Sequence, residues 1–226
     1  MKKEIKNITI VAKPQLNNLI KQNRMQKQPV NLTEYAKNIF EANKAKGFWD
    51  EKRSQVELLV LVQSELFEAF EAVRKDKVIV AELQILKNLT KNVDKKFPKL
   101  NADNFKHRFV ENVKDTLQDE IADTIIRLLD FAGSRNMKLY DPREDKDTPV
   151  DYEAAKVGFR QITFIVANMC NGIGALYDRH IGYVETTDLM FFLVAFAEHN
   201  EIDIWLHIEL KLFYNSLRAY KHGKKF

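Results

Sequence analysis

Apolar side chains recur three and four residues apart through most of this chain, and that rhythm predicts helices. The first spans residues 33–46, with Tyr35, Ile39 and Phe40 on its inward face and Gly47 closing it. Ser54-x-x-Glu57 is a capping box opening the second, which carries Val56, Leu59 and Val60 and stops at Arg74-Lys75-Asp76-Lys77. A third is expected over residues 78–89, followed by a polar loop around Phe97 and Pro98. The longest covers residues 103–132, with Asp103 as its N-cap and Gly133 as its end. Residues 141–149 form a linker, because Pro142, Pro149 and the charges between them forbid a continuous helix. An apolar segment over 152–177, a turn at 180–183, a helix over 187–198 and a last helix from Ile204 complete the pattern. Together they predict an all-α helical bundle.

Two of these helices carry acids where a packing face begins. Glu65 and Glu68 stand three residues apart, as do Glu120 and Asp123, and three residues turn a helix by about 300°. With Glu65 at zero, Glu68 falls at about 300°, while Leu59, Leu66, Phe67 and Phe70 cluster between about 100° and 200°. With Glu120 at zero, Asp123 falls at about 300°, and Ile121, Ile125, Leu128 and Leu129 lie between about 80° and 180°. Arg127, at about 340° on that scale, shares the stripe and can orient a carboxylate or meet a phosphate. Four carboxylates converging beside a core repel one another, and a hard divalent cation removes the repulsion. The plainer alternative is two amphipathic helices with ordinary charged edges.

Composition narrows the choices. The 226 residues suffice for one core, and 7 Gly with 5 Pro disfavour a turn-rich β-fold. Cys170 stands alone, which excludes an intramolecular disulfide framework and a cysteine-rich zinc site. No apolar run reaches membrane-spanning length and the first residues hold no signal-like apolar stretch, so a cytoplasmic protein without a membrane partner is expected. The net charge of +4 is mild. Residues 1–30 are the exception, a basic arm with seven Lys and Arg against Glu4 alone. Mixed charge elsewhere makes nucleic acid an unfavoured partner.

The acidic pairs and their surroundings resemble one family. Glu65-x-x-Glu68 and Glu120-x-x-Asp123 look like the ExxE…ExxD signature of the MazG-like, all-α nucleoside triphosphate pyrophosphohydrolases. Lys46-Gly47-Phe48-Trp49-Asp50 resembles the segment before that family's first acidic helix, and Ile125-Ile126-Arg127-Leu128-Leu129-Asp130 the continuation of its second. Lys211-x-x-Tyr214-Asn215-x-x-Arg218-x-x-x-His222-Gly223-Lys224 is similar to its phosphate-side ending. The resemblance covers residues 35–75, 116–136 and 204–224, with a spacer between the acidic pairs longer than the compact family pattern.

The resemblance implies a single catalytic domain over residues 31–226, with 137–150 as an internal linker and 151–203 as an additional helical segment. It implies that Glu65, Glu68, Glu120 and Asp123 are catalytic and bind Mg²⁺, with Mn²⁺ as a substitute. The substrate would be a nucleoside triphosphate, cleaved to monophosphate and pyrophosphate by water attacking the α-phosphorus. Lys211, Asn215 and Arg218, at i, i+4 and i+7 on one helical face, and Lys224 would hold the leaving phosphates. Phe48 and Trp49 would border the base, or else plug a hydrophobic hinge, and the family's habit is a homodimer.

Three rivals stand against this reading: a di-iron carboxylate bundle, a nucleic-acid binder and a catalytically inactive helical interaction or nucleotide-sensing protein. The first wants Glu-x-x-His pairs, which the chain lacks. A weak internal repeat adds one more expectation. Residues 129–139 align with 194–204, placing Glu120 and Asp123 over Glu185 and Asp188. Duplication would give a pseudo-symmetric bundle with one working metal site per chain.

Overall fold

A computed structural model of the chain describes residues 31–79, 98–144, 151–177 and 183–220, and every regular element among them is helical. Helix α1 (Leu32–Ala45) starts at Asn31, whose side chain accepts from the Glu34 N–H at 3.0 Å. Helix α2 (Gln55–Arg74) opens on the predicted capping box: Ser54 accepts from the Glu57 N–H at 3.2 Å, and Glu57 accepts from the Ser54 N–H at 2.6 Å. Between them Gly47 adopts φ 82°, and a Cβ there would run into the Tyr220 ring.

The helix expected over residues 103–132 is two helices, α3 (Pro98–Asn112) and α4 (Leu117–Ser134). Asp115 takes φ 61°, which a right-handed helix cannot accommodate, and Thr116 then caps α4 by accepting from the Asp119 N–H at 3.3 Å. Gly133 does not end α4 either. The left-handed residue is Asn136, at φ 52°, and the Met137 N–H closes the end onto the Ala132 carbonyl at 3.0 Å. Gly133 serves packing instead: a Cβ built on it would lie 2.3 Å from the Ala36 carbonyl oxygen of α1.

The apolar segment over 152–177 is an α-helix only from Ile162, as α5 (Ile162–Tyr177), after single 3₁₀ turns at Glu153–Ala155 and Phe159–Gln161. Asn200 explains the irregular stretch, since it donates to the Val157 carbonyl and accepts from the Phe159 N–H, both at 2.8 Å. Helices α6 (Tyr183–His199) and α7 (Ile204–Ser216) follow, the latter capped by Asp203. Residues 78 and 79 are not helical; the rest of the helix expected over 78–89, the loop at Phe97, the basic arm and most of the linker lie outside the described residues. No helix among the described residues is long and apolar enough to cross a membrane.

Helix α4 is the axis. It packs against α1, α2, α6 and α7, and only Asp123, Arg127 and Ser134 of its 18 residues are partly exposed. The main core joins Ile39 of α1, Leu59 and Leu66 of α2, Ile121 and Ile125 of α4, Ile165 of α5, Phe191 and Phe196 of α6 and Ile208 of α7. A smaller cluster, centred on Phe105 and Phe109, ties α3 to Leu206 and Leu210 of α7. Gln118 ties α4 to the segment that follows α2. It accepts from the Ile79 N–H at 3.0 Å and donates to the Ile79 carbonyl at 2.8 Å.

Gly133→Ala tests the α1–α4 contact. Alanine gains about 1 kcal/mol of helix propensity, but forcing a methyl against backbone costs about 1–3 kcal/mol. Thermal denaturation is expected to give a lowered Tm; a Tm raised by the substitution would contradict the contact.

A candidate acidic centre between α2 and α4

The first turns of α4 and the middle of α2 bring the acids together. On α2, Glu65 continues the buried row Leu58, Val62, Leu66 and Ala69 and is 7% exposed, while Glu68 stands one turn on at the exposed edge. On α4, the Thr116 cap sets the helix start, so Asp119 and Glu120 fall in the first turn and Asp123 in the second. Glu65, Glu68 and Glu120 each offer a carboxylate oxygen within 4.8 Å of the others. Two unit charges at that separation repel by roughly 3–4 kcal/mol at an effective dielectric near 20.

Protonation reflects the crowding. Burial, then the charges of Asp119 and Asp123, push the Glu120 carboxyl up to about 9. Glu65 is raised by burial and by Asp123, against the opposing pull of Arg127. Arg127 donates from Nε and Nη2 to Glu65 Oε1, both at 3.1 Å. The guanidinium orients a carboxylate, but the hydrogen-bonded one is Glu65 across on α2 and not the helical neighbour four residues before it, and the contact is a fork on one oxygen.

Lys211 of α7 is the residue whose place differs most from the sequence reading. Its ammonium lies 2.7 Å from Asp119 Oδ2 and 2.7 Å from Asp123 Oδ2, in a residue only 6% exposed. Burial alone would lower its pKa, but the two carboxylates outweigh burial and hold the proton on. Asp119 itself is pushed up to about 6, with burial leading and Lys211 opposing. Its role was not legible in the acid spacing, although Thr116-x-x-Asp119 is a helix-start signal. Asp119 Oδ2 also accepts from the Asp115 N–H at 3.1 Å.

Asn215 and Arg218 sit at the far end of α7, where Arg218 Nη1 donates to Asn215 Oδ1 at 3.4 Å and the guanidinium lies 5.6 Å from the Tyr214 ring centre. Arg218 and Tyr214 line a cavity of about 450 Å³ with Lys106 and His107 of α3. Lys224 lies outside the described residues. The structure thus joins Lys211 to the acids and leaves Asn215 and Arg218 paired with each other.

Phe48 and Trp49 occupy the loop that enters α2. The Trp49 Nε1–H donates to Asp130 Oδ1 at 3.2 Å, and its ring meets Phe40 edge-on at 5.1 Å. Asp130, 7% exposed and one turn beyond Arg127, is pushed up to about 7 by burial, against the stabilising contacts of Asn43, Arg127 and Trp49. Across the loop, Lys46 donates to the carbonyls of Ser216 and Arg218 at 2.9 and 2.7 Å, and the Tyr220 hydroxyl meets Asp50. The loop is pinned to α4 on one side and to the end of α7 on the other. Comparisons with protein-family models, with curated proteins and with solved structures return no match.

Glu120→Gln is expected to stabilise the metal-free protein at pH 8. A carboxyl whose folded pKa is raised favours the folded state below its unfolded pKa of about 4.3 and loses that advantage as pH climbs towards 9. Thermal melts in chelator should show wild type losing Tm between pH 5 and 9 more steeply than the Gln variant. Parallel profiles would contradict the raised carboxyl.

Proposed function

We propose that this chain is a metal-dependent nucleotide pyrophosphohydrolase of the MazG-like type, cleaving nucleoside triphosphates to monophosphates and pyrophosphate. The observation that carries the proposal is the convergence of Glu65, Glu68 and Glu120 from two helices, with Asp123 beside them, at the four positions of the ExxE…ExxD resemblance. An all-oxygen donor set suits Mg²⁺ or Mn²⁺, and the raised Glu120 carboxyl marks a spot where added positive charge relieves strain. Glu65, Glu68 and Glu120 would hold the ion. When bound it would neutralise phosphate oxygens and lower the pKa of the attacking water.

The chain's own residues do the rest. Arg127 keeps Glu65 facing the cluster, and the apolar wall of α4 limits water around Glu120. Asn215, Arg218 and Lys224 supply the phosphate-side groups of the resemblance, with Lys211 nearer the acids. Trp49, held by Asp130, fixes the loop on which Phe48 would meet the base. The reaction is water attack at the α-phosphorus with pyrophosphate leaving. A degenerate repeat agrees with the ends of α4 and α6: Asn136 and Glu201, aligned by that repeat, both take positive φ, and Met137 and Ile202 close onto Ala132 and Ala197.

Val56, Val60 and Phe67 form an exposed apolar stripe on α2, each about half accessible, beside Glu68. The stripe supports a homodimer. It also keeps open a second reading, an inactive helical interaction or nucleotide-sensing protein.

The test is pyrophosphate release from a panel of (d)NTPs with Mg²⁺ or Mn²⁺, comparing wild type with Glu68→Gln. Glu68 is exposed, so its removal should spare the fold while lowering turnover by at least 100-fold. Folded protein that releases no pyrophosphate from any nucleotide would move the interaction reading to the front.

A further inference from the structure

The side of the centre away from Glu65 already holds a cation. Lys211 Nζ bridges Asp119 and Asp123 at 2.7 Å each, and lies 5.8 Å from the Phe109 ring centre. We infer that Lys211 is the built-in cation of this centre: its ammonium fills the Asp119–Asp123 side, so the chain's own donors take a single divalent ion, on the Glu65–Glu68–Glu120 side. This rests on the metal-site part of the function proposed above.

Charge pairing supports the same division: Lys211 is set against Asp119 and Asp123, which leaves Glu65, Glu68 and Glu120, with Arg127 at Glu65, as the acids a divalent ion would meet.

The Asp119 carboxylate supplies an independent observation. Its residue is 1% exposed, and Oδ1 has no hydrogen-bond partner among the described residues while Oδ2 is gripped by Lys211. Asp119 Oδ2 is thus committed to the Lys211 ammonium and the Asp115 N–H. Lys211 is accordingly a positioning residue for the acids, and phosphate contacts fall to groups nearer the end of the chain.

The experiment titrates Mn²⁺ into the full chain without nucleotide, counting ions by calorimetry and reading pairs by electron paramagnetic resonance. Wild type is expected to bind one uncoupled Mn²⁺ per chain, and Lys211→Met two spin-coupled ions. Lys211→Arg, which keeps the charge, is expected to stay at one. Two ions in wild type or the Arg variant, none in wild type, or any count but two in folded Met variant would overturn the inference. Should the Met variant fail to fold, Lys211→Gln, which also removes the charge, is titrated in its place. Two coupled ions are again expected, and any other count overturns the inference. Pyrophosphate release on the same samples separates the two ideas. One ion without release leaves this inference standing and removes the enzyme reading; two ions with release do the reverse.

Discussion

Carboxylates buried along the central helix are the constraint to which the surroundings of this centre conform. Asp119 and Glu120 are 1% and 3% exposed, on a helix walled on most sides by aliphatic and aromatic side chains. Such groups persist only when protonated, ion-paired or bound to a cation. Two of these solutions are built in: burial and neighbouring charge favour a proton on Glu120, and ion pairs join Glu65 to Arg127 and Asp119 and Asp123 to Lys211. Each partner comes from a different direction, so α2 and α7 are tied to α4 by charge as well as by packing.

Those ties also explain why the entry loop is so firmly placed. Residues 46–50 bridge α4 and the end of α7, with Trp49 on Asp130 and with Lys46 and Asp50 against residues 216–220. The left-handed backbone at Gly47 and its contact with Tyr220 leave no room for a side chain there. The loop is therefore held by directional bonds at both ends as well as by the packing of Trp49 on Phe40.

What was legible in the sequence was whatever depends on near neighbours. Helical spacing put Glu65 beside Glu68 and Glu120 beside Asp123, and the Ser54 capping box opened α2 where the pattern placed it. The break at residues 113–116 was also written locally, in Thr116-x-x-Asp119, but a strong apolar rhythm on both sides hid it. Gly133 shows a different limit. A glycine near the end of an apolar run looks the same whether it terminates a helix or admits a neighbour, and only the approach of Ala36 decides between them. Lys211 lay beyond any local rule, because its partners are 92 and 88 residues away and meet it only through the crossing of α4 and α7.

The bond between Trp49 and Asp130 carries an optical consequence. The chain has 2 tryptophans, and Trp205 is 6% exposed in the core on α7. The Trp49 indole N–H faces a carboxyl whose charge changes near pH 7, and a carboxylate beside the pyrrole edge shifts and quenches indole emission differently from a neutral acid. The protein carries an intrinsic fluorophore wired to the helix of its acidic centre, one that needs no label to register the electrostatic state of that helix.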